Sequence, residues 1–270
     1  MGTSSNLPGP RGGVWTGPNQ QLGRLLGDLG REAEAQGDGS ASSLPAEKIA
    51  LKTEDIARRY LESLGQTLSD EPDAFGIREA MIDAGRRLVD ALDSLHAGLA
   101  RSPIAGGDPE DQASSFMRTL VAQVAGKGAL TTDAVIRKAV ATCADNLLST
   151  PGPLQDAILN GQVTKGSLIS GELFCVVYKL FFKETVSAFI TTMIAGKIQV
   201  AMPLLHVIDP AGQIAHWVGE QVVAHISDPC EKGATLGDAT SLADLARGLV
   251  AESVDNVLRI ESNLPGTAAA

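Results

Sequence analysis

Three of the four histidines lie close together in the sequence, and they are the residues whose spacing could best support chemistry. His206, His216 and His225 fall in one short segment with Asp209 and Glu220. His216 and Glu220 are four residues apart, so they share a helix face where two metal ligands or an acid and a base could meet. We therefore take His206, Asp209, His216 and Glu220 as candidate metal ligands, although an ordinary surface pair of His216 and Glu220 is the favoured interpretation.

The three cysteines, Cys143, Cys175 and Cys230, are far apart and form no C-x-x-C pair. Their odd number and wide spacing predict free thiols in a reducing compartment, and hence a cytoplasmic protein. Cys143 and Cys175 lie in apolar helical surroundings, where a buried thiol is unreactive. Cys230 follows Pro229 in the first turn of a helix, where the helix dipole lowers the pKa of a thiol. Cys230 is the cysteine whose reactivity we would test.

The motifs of common enzymes are absent from the sequence. It has no G-x-x-x-x-G-K-[ST] loop, no G-x-G-x-x-G turn, no G-x-S-x-G elbow and no H-E-x-x-H or Glu-x-x-His pair. These absences exclude the usual nucleotide-binding modes and the common hydrolase, zinc-protease and di-iron signatures. The sequence therefore predicts no cofactor and no catalytic residue.

The charge of the chain restricts its partners. The 270 residues carry a formal net charge of −10, while 44% are hydrophobic and 20% are charged. The hydrophobic fraction is that of a globular protein, and the negative field repels phosphate backbones and anionic surfaces. Nucleic acid is therefore not an expected partner, whereas another protein or a second copy of the chain is.

Aspartate followed by proline marks several helix starts, at Asp108-Pro109, Asp209-Pro210 and Asp228-Pro229. The aspartate can accept from free N–H groups of the first turn, and proline has no N–H to leave unpaired. We predict helices over residues 47–69, 73–100, 109–126, 132–149, 153–161, 167–202, 210–227 and 241–261. The predicted fold is an all-α multi-helix bundle around a central apolar helix, with residues 1–45 as a flexible arm and 46–265 as the helical domain.

A leucine stripe lies inside the arm. It follows the i, i+3, i+4, i+7 spacing of one helix face and consists of Leu22, Leu25, Leu26 and Leu29. Gly23, Gly27 and Gly30 weaken this helix, so we expect it to form only when it docks on something. Docking on its own domain is the favoured interpretation, and docking on a partner protein is the alternative.

The most apolar segment covers residues 167–208 and contains four of the six phenylalanines. From Val186 to Ile208 the one formal charge is Lys197, which approaches the pattern of a membrane span. A soluble core is favoured over membrane entry because polar residues interrupt the segment. Its residues of interest for either role are Phe181, Phe182, Phe189, Ile194 and Lys197.

These features leave three functions open. A non-enzymatic helical protein that acts through protein–protein interaction or assembly is the leading hypothesis. The alternative is a membrane-acting effector, pore-forming or lipid-inserting, that uses residues 167–208. A metal-dependent enzyme built on the histidine segment is the least favoured.

Overall fold

The computed structural model describes residues 13–36, 46–97, 108–125, 131–159, 166–201, 210–236 and 241–259. Within these ranges the chain forms ten α-helices and no β-strand, which confirms the predicted all-α multi-helix bundle. Two short 3₁₀ turns, Gly13–Trp15 and Ala74–Gly76, precede the first and third helices. The helices are α1 Thr16–Gln36, α2 Ala46–Asp70, α3 Ile77–His96, α4 Pro109–Ala125, α5 Thr131–Ser149, α6 Pro153–Leu159, α7 Gly171–Ala201, α8 Pro210–Val223, α9 Pro229–Leu236 and α10 Leu242–Val257.

Side-chain caps explain where the last two helices begin. Before α10, Ser241 Oγ accepts the backbone N–H of Asp244 at 3.1 Å and donates to the Asp244 carboxylate at 2.7 Å. Before α9, the Asp228 carboxylate accepts the backbone N–H of Cys230 at 2.8 Å. Both caps satisfy N–H groups that have no partner inside the helix. Asp209, the proposed cap of α8, lies outside the described residues.

The apolar helix α7 packs against several other helices, although Val176 on it is 43% exposed. It contacts α1, α3, α5, α8, α9 and α10. Its aromatic rings pack edge to face, with centroids of Tyr178 and Phe182 at 5.0 Å and of Phe181 and Phe182 at 5.1 Å. The phenylalanines on this helix are fully buried, namely Phe174, Phe181, Phe182 and Phe189. The described side chains of α7 therefore form much of the protein's own core.

Helix α1 docks on α2 and α7. Trp15, just before α1, donates from Nε1 to Thr67 Oγ1 at 2.9 Å, and the Tyr60 hydroxyl donates to Asn19 at 2.7 Å. The stripe that faces the domain is almost completely buried and consists of Leu22, Leu25, Leu26 and Leu29. These contacts offset the weak helix propensity of the glycines in α1.

Several polar contacts fix α10 against the bundle, and two of them lie on opposite sides of it. Arg78 on α3 forms a bidentate ion pair with Asp255 on α10, with N–O distances of 2.7 and 3.0 Å. On the inner side, the Tyr178 hydroxyl of α7 and Ser253 Oγ share a buried hydrogen bond of 3.0 Å. Burial raises the pKa of Tyr178, so its hydroxyl stays protonated. The C-terminal helix is thus held by a surface pair and by a buried pair.

The close approach of α3 to its neighbours gives a first testable prediction. A Cβ at Gly85 would lie 3.0 Å from Val250 Cγ1 and 3.3 Å from Phe182 Cζ, whereas a Cβ at Gly248 on α10 would meet nothing within 4 Å. We expect Gly85→Ala to lower the free energy of unfolding by about 1–2 kcal/mol through overpacking. Gly248→Ala should raise it by up to about 1 kcal/mol through helix propensity.

Urea unfolding followed by far-UV circular dichroism compares these two variants under the same conditions. Both changes add one methyl group to a helix, so they differ only in the space that receives it. Equal stabilisation by the two substitutions would contradict the packing of α3 against α7 and α10.

Candidate functional site

The structure does not assemble the predicted histidine site from the residues that it describes. His216 and Glu220 share the exposed face of α8, as their spacing predicts. Glu220 is engaged by Lys183 of α7, whose Nζ donates to Glu220 Oε1 at 2.8 Å. This hydrogen bond and the charge of Lys183 lower the pKa of Glu220, and His216 contributes less. His206 and Asp209 lie outside the described residues, so the structure does not test whether they are metal ligands.

The prediction of three free thiols is wrong. Cys175 and Cys230 form a disulfide across 55 residues, with their Cα atoms 6.1 Å apart. Cys143 is free and buried, and burial raises the pKa of its thiol well above the usual value. Disulfides persist mainly in oxidising compartments, so the cysteine argument for a reducing compartment no longer holds. Cys230 is held in a bond and is not the reactive thiol that the sequence suggested.

A carboxylate lies beside this disulfide. The two Sγ atoms and a carboxylate oxygen of Asp228 all lie within 4.8 Å of one another, and we call Cys175, Asp228 and Cys230 the cysteine–aspartate cluster. Lys179 donates from Nζ to Asp228 Oδ2 at 2.6 Å, which links α7 to the start of α9. In the described ranges, this is the one group of three potential metal-ligand side chains. None of its three residues is among the metal candidates that the sequence suggested.

An open groove runs between α1 and α2, and we call it the α1–α2 groove. Its volume is about 370 Å³. Leu25 and Ile56 are buried beneath it, while Leu51 at its edge is 63% exposed. Among the described residues, only Val176 on α7, at 43%, is another large apolar side chain of the exposed class. The groove is lined by Gln21, Arg24, Leu25, Asp28, Leu51, Lys52, Asp55 and Ile56.

The acidic side chains of the groove are held in their charged form by neighbouring bases. The hydrogen bond from Lys52, at 3.3 Å, is the main cause that lowers the pKa of Asp28. Burial raises the pKa of Asp55, but hydrogen bonds and charges from Arg59 and Arg58 outweigh it and keep the pKa below its usual value. The rim of the groove therefore presents fixed charges of both signs at neutral pH.

One polar atom in the groove lining lacks a partner. Gln21 Oε1 is inaccessible to solvent and forms no hydrogen bond with any described residue. A buried carbonyl oxygen without a donor costs about 1–3 kcal/mol relative to a satisfied one. A donor brought by a bound molecule would remove this cost if Gln21 turned toward it.

Most of the residues predicted for interaction or membrane entry are buried in the core of the protein. Of the four leucines in the arm, Leu25 lines the groove, and all four are buried in the chain's own core. Phe181, Phe182, Phe189 and Ile194 are fully buried. Lys197 falls within α7, but its side chain lies outside the described residues. None of the helices in the described ranges combines the length and the apolar character needed to cross a bilayer.

The chain is an all-α multi-helix bundle in which a disulfide and a surface groove are the main features beyond the core. No protein-family model, no curated protein and no solved structure matches it.

Sequence reasoning missed the groove, but one signal for it is present. The buried face of α2 includes Ile49, Ile56 and Tyr60. Leu51 is two residues from Ile49, or about 200° around the helix, and so falls outside that face. An apolar residue on the polar side of an amphipathic helix indicates a binding surface when neighbouring residues form a depression.

Proposed function

We propose that this chain is a non-enzymatic helical protein that works by binding another protein through the α1–α2 groove. The observation that carries the proposal is the 63% exposure of Leu51 at the edge of an open groove. A large apolar side chain held in water beside a depression gains free energy when a partner covers it. Leu51 would be the anchor residue on this side of the interface.

The lining of the groove indicates the chemistry of the partner. Leu51 offers the main apolar contact above the buried Leu25 and Ile56, and Gln21 Oε1 would offer an acceptor if its side chain turned toward the partner. The best fit is an amphipathic helix of another protein, with apolar side chains on one face and charges of both signs beside them. Such a helix would cover Leu51, supply a donor to Gln21 and place its charges against the rim.

Two of the residues that the sequence singled out for chemistry, Glu220 and Cys230, are engaged elsewhere, which supports a non-enzymatic function. Glu220 pairs with Lys183, and Cys230 is in a disulfide. Cys143 is buried with a raised pKa, so it is a poor nucleophile at neutral pH. The cytoplasmic location was predicted from the cysteines, and the Cys175–Cys230 disulfide removes that support.

The membrane-acting alternative also stays a prediction, and we do not favour it. The phenylalanines of α7 pack against neighbouring helices, so entry into lipid would require α7 to leave the bundle. That step would expose the apolar faces of α5 and α8, which now cover α7. Protein binding through the groove needs no such rearrangement.

The test compares two exposed apolar side chains. Leu51→Asp places a charge at the groove edge, and Val176→Asp makes the same kind of change on α7 away from it. We expect Leu51→Asp to weaken binding by about 2 kcal/mol or more, or roughly 30-fold, as for an interface hot spot. Val176→Asp should leave binding unchanged.

Binding is measured in two ways. Light scattering over a range of concentrations detects self-association, and quantitative mass spectrometry of complexes isolated from the source cells detects a second protein. Circular dichroism verifies that both variants keep their helices. The proposal would be overturned if the protein is strictly monomeric and no partner protein is isolated with it from the source cells. Equal loss of binding in Leu51→Asp and Val176→Asp would also overturn it.

A further inference from the structure

We infer that, when the Cys175–Cys230 disulfide is reduced, the cysteine–aspartate cluster binds a thiophilic divalent cation of the Zn²⁺ class. The ligands are the two thiolates and the Asp228 carboxylate. This site is independent of the α1–α2 groove. It also differs from the histidine segment in which the sequence placed its metal candidates.

The geometry of the cluster is close to that of a zinc site. Zn–S bonds of about 2.3 Å and Zn–O bonds of about 2.1 Å place ligand atoms about 3.6–3.8 Å apart in a tetrahedron. In the oxidised protein the three ligand atoms already lie within 4.8 Å of one another. Reduction frees the two sulfurs to move apart, so rotation of the cysteine side chains can bring them to the required distances. No helix has to move far.

The backbone holds the ligands in place from two directions. Cys175 lies in the second turn of α7, while Asp228 precedes α9 and Cys230 lies in its first turn. The backbone N–H of Cys230 donates to Asp228 Oδ1 at 2.8 Å, and Lys179 donates to Oδ2 at 2.6 Å. Each carboxylate oxygen retains a lone pair for a metal. Hydrogen bonds of this kind orient metal ligands in many known sites.

The local charges balance with a divalent ion in place. Two thiolates and one carboxylate carry three negative charges, and Lys179 contributes one positive charge. A divalent cation brings the sum to zero. Cys175 is 3% exposed and Asp228 is largely covered, so an uncompensated charge would be costly here. The charge balance therefore favours a divalent ion over a monovalent one.

Reduction and metal binding are two balanced steps. A small thiolate attacks Sγ of Cys230, the less buried of the two cysteines, and Cys175 leaves as a thiolate. A second small thiolate then releases Cys230, and the two small thiols end as a disulfide. The protein gains two electrons and two protons. The cation then displaces one proton from each cysteine thiol and keeps a fourth position for water.

The experiment uses the full chain with Zn²⁺ as the probe. The protein is reduced with a phosphine, freed of reductant without oxygen, and titrated with Zn²⁺ against a chromophoric chelator. We expect one equivalent to bind the reduced protein with a Kd of roughly 1 µM or below, and none to bind the oxidised protein at that affinity. Co²⁺ in place of Zn²⁺ should give a sulfur-to-metal charge-transfer absorption.

Asp228→Asn tests the carboxylate while keeping a good helix cap. We expect it to weaken Zn²⁺ binding roughly 100-fold or more, since even an outer-shell partner contributes about 10- to 100-fold. Glu231→Gln removes an exposed neighbouring charge, and Cys143→Ser removes the thiol outside the cluster. Both controls should bind Zn²⁺ as the unaltered protein does.

A second measurement does not depend on any variant. Bound Zn²⁺ should slow re-formation of the Cys175–Cys230 disulfide by an added small disulfide, because the metal occupies both sulfurs. The inference is overturned if the reduced protein binds no Zn²⁺ at micromolar concentration. It is also overturned if Asp228→Asn binds as tightly as the unaltered protein, or if Cys143→Ser abolishes binding in a folded protein.

Discussion

Alanine in place of Phe182 is expected to lower the free energy of unfolding by about 3–5 kcal/mol. Phe182 is fully buried on α7 and packs edge to face against Tyr178 and Phe181. Its Cζ also lies against the backbone of α3 at Gly85. Truncation removes these contacts and leaves a cavity that neighbouring helices cannot fill without moving. The loss is a large fraction of the stability of an ordinary domain.

Val176→Ala is the matched control for Phe182→Ala because it truncates an apolar side chain on the same helix that is 43% exposed. Its effect should be within about 0.5 kcal/mol, apart from the small gain in helix propensity. Denaturant unfolding followed by circular dichroism measures the free energy of unfolding of both variants. Unfolding of both variants at the same denaturant concentration would contradict the burial of Phe182 in the core.

Reduction of the disulfide is the second large effect. The bond closes a loop across 55 residues, so its loss should lower the free energy of unfolding by about 4 kcal/mol on the chain-entropy model. Cys230→Ser should lower it by a similar amount, and reductant should then have no further effect. Unfolding with and without a phosphine reductant measures both predictions.

Thiol counting gives the control for this prediction. The oxidised chain, unfolded without reductant, should show one reactive thiol, that of Cys143, and three after reduction. Three thiols before reduction would contradict the pairing of Cys175 with Cys230. Zn²⁺ added to the reduced protein should restore part of the stability, because a ligand that binds only the folded state stabilises it.

Most of the fold was readable from local patterns. The aspartate–proline pairs at Asp108 and Asp228 mark helix starts that the structure confirms, since caps depend on residues next to each other in the chain. The helix that we did not predict, α9, is only Pro229–Leu236 and includes Gly233, so its periodicity is too short to detect. The sequence identifies Asp228 as the cap of α9, but it does not predict the helix that follows.

The candidate sites were harder to predict because they depend on contacts between distant residues. The 55-residue spacing of Cys175 and Cys230 reveals nothing about the packing of α7 against the start of α9. Phe75 likewise packs between Trp15 and Phe189, which are 60 and 114 residues away in sequence. By contrast, the shared face of His216 and Glu220 follows from helix geometry alone. The sequence could not show that Lys183 engages Glu220.

Site-specific crosslinking tests the proposed function most directly. A photoreactive amino acid is placed at position 51, at the edge of the α1–α2 groove, and in a separate protein at position 176 on α7. Both are irradiated in the source cells, and crosslinked products are identified by mass spectrometry. The proposal predicts one dominant product from position 51, with the partner peptide drawn from an amphipathic helix, and no such product from position 176. Equal, unspecific labelling from both positions would contradict it.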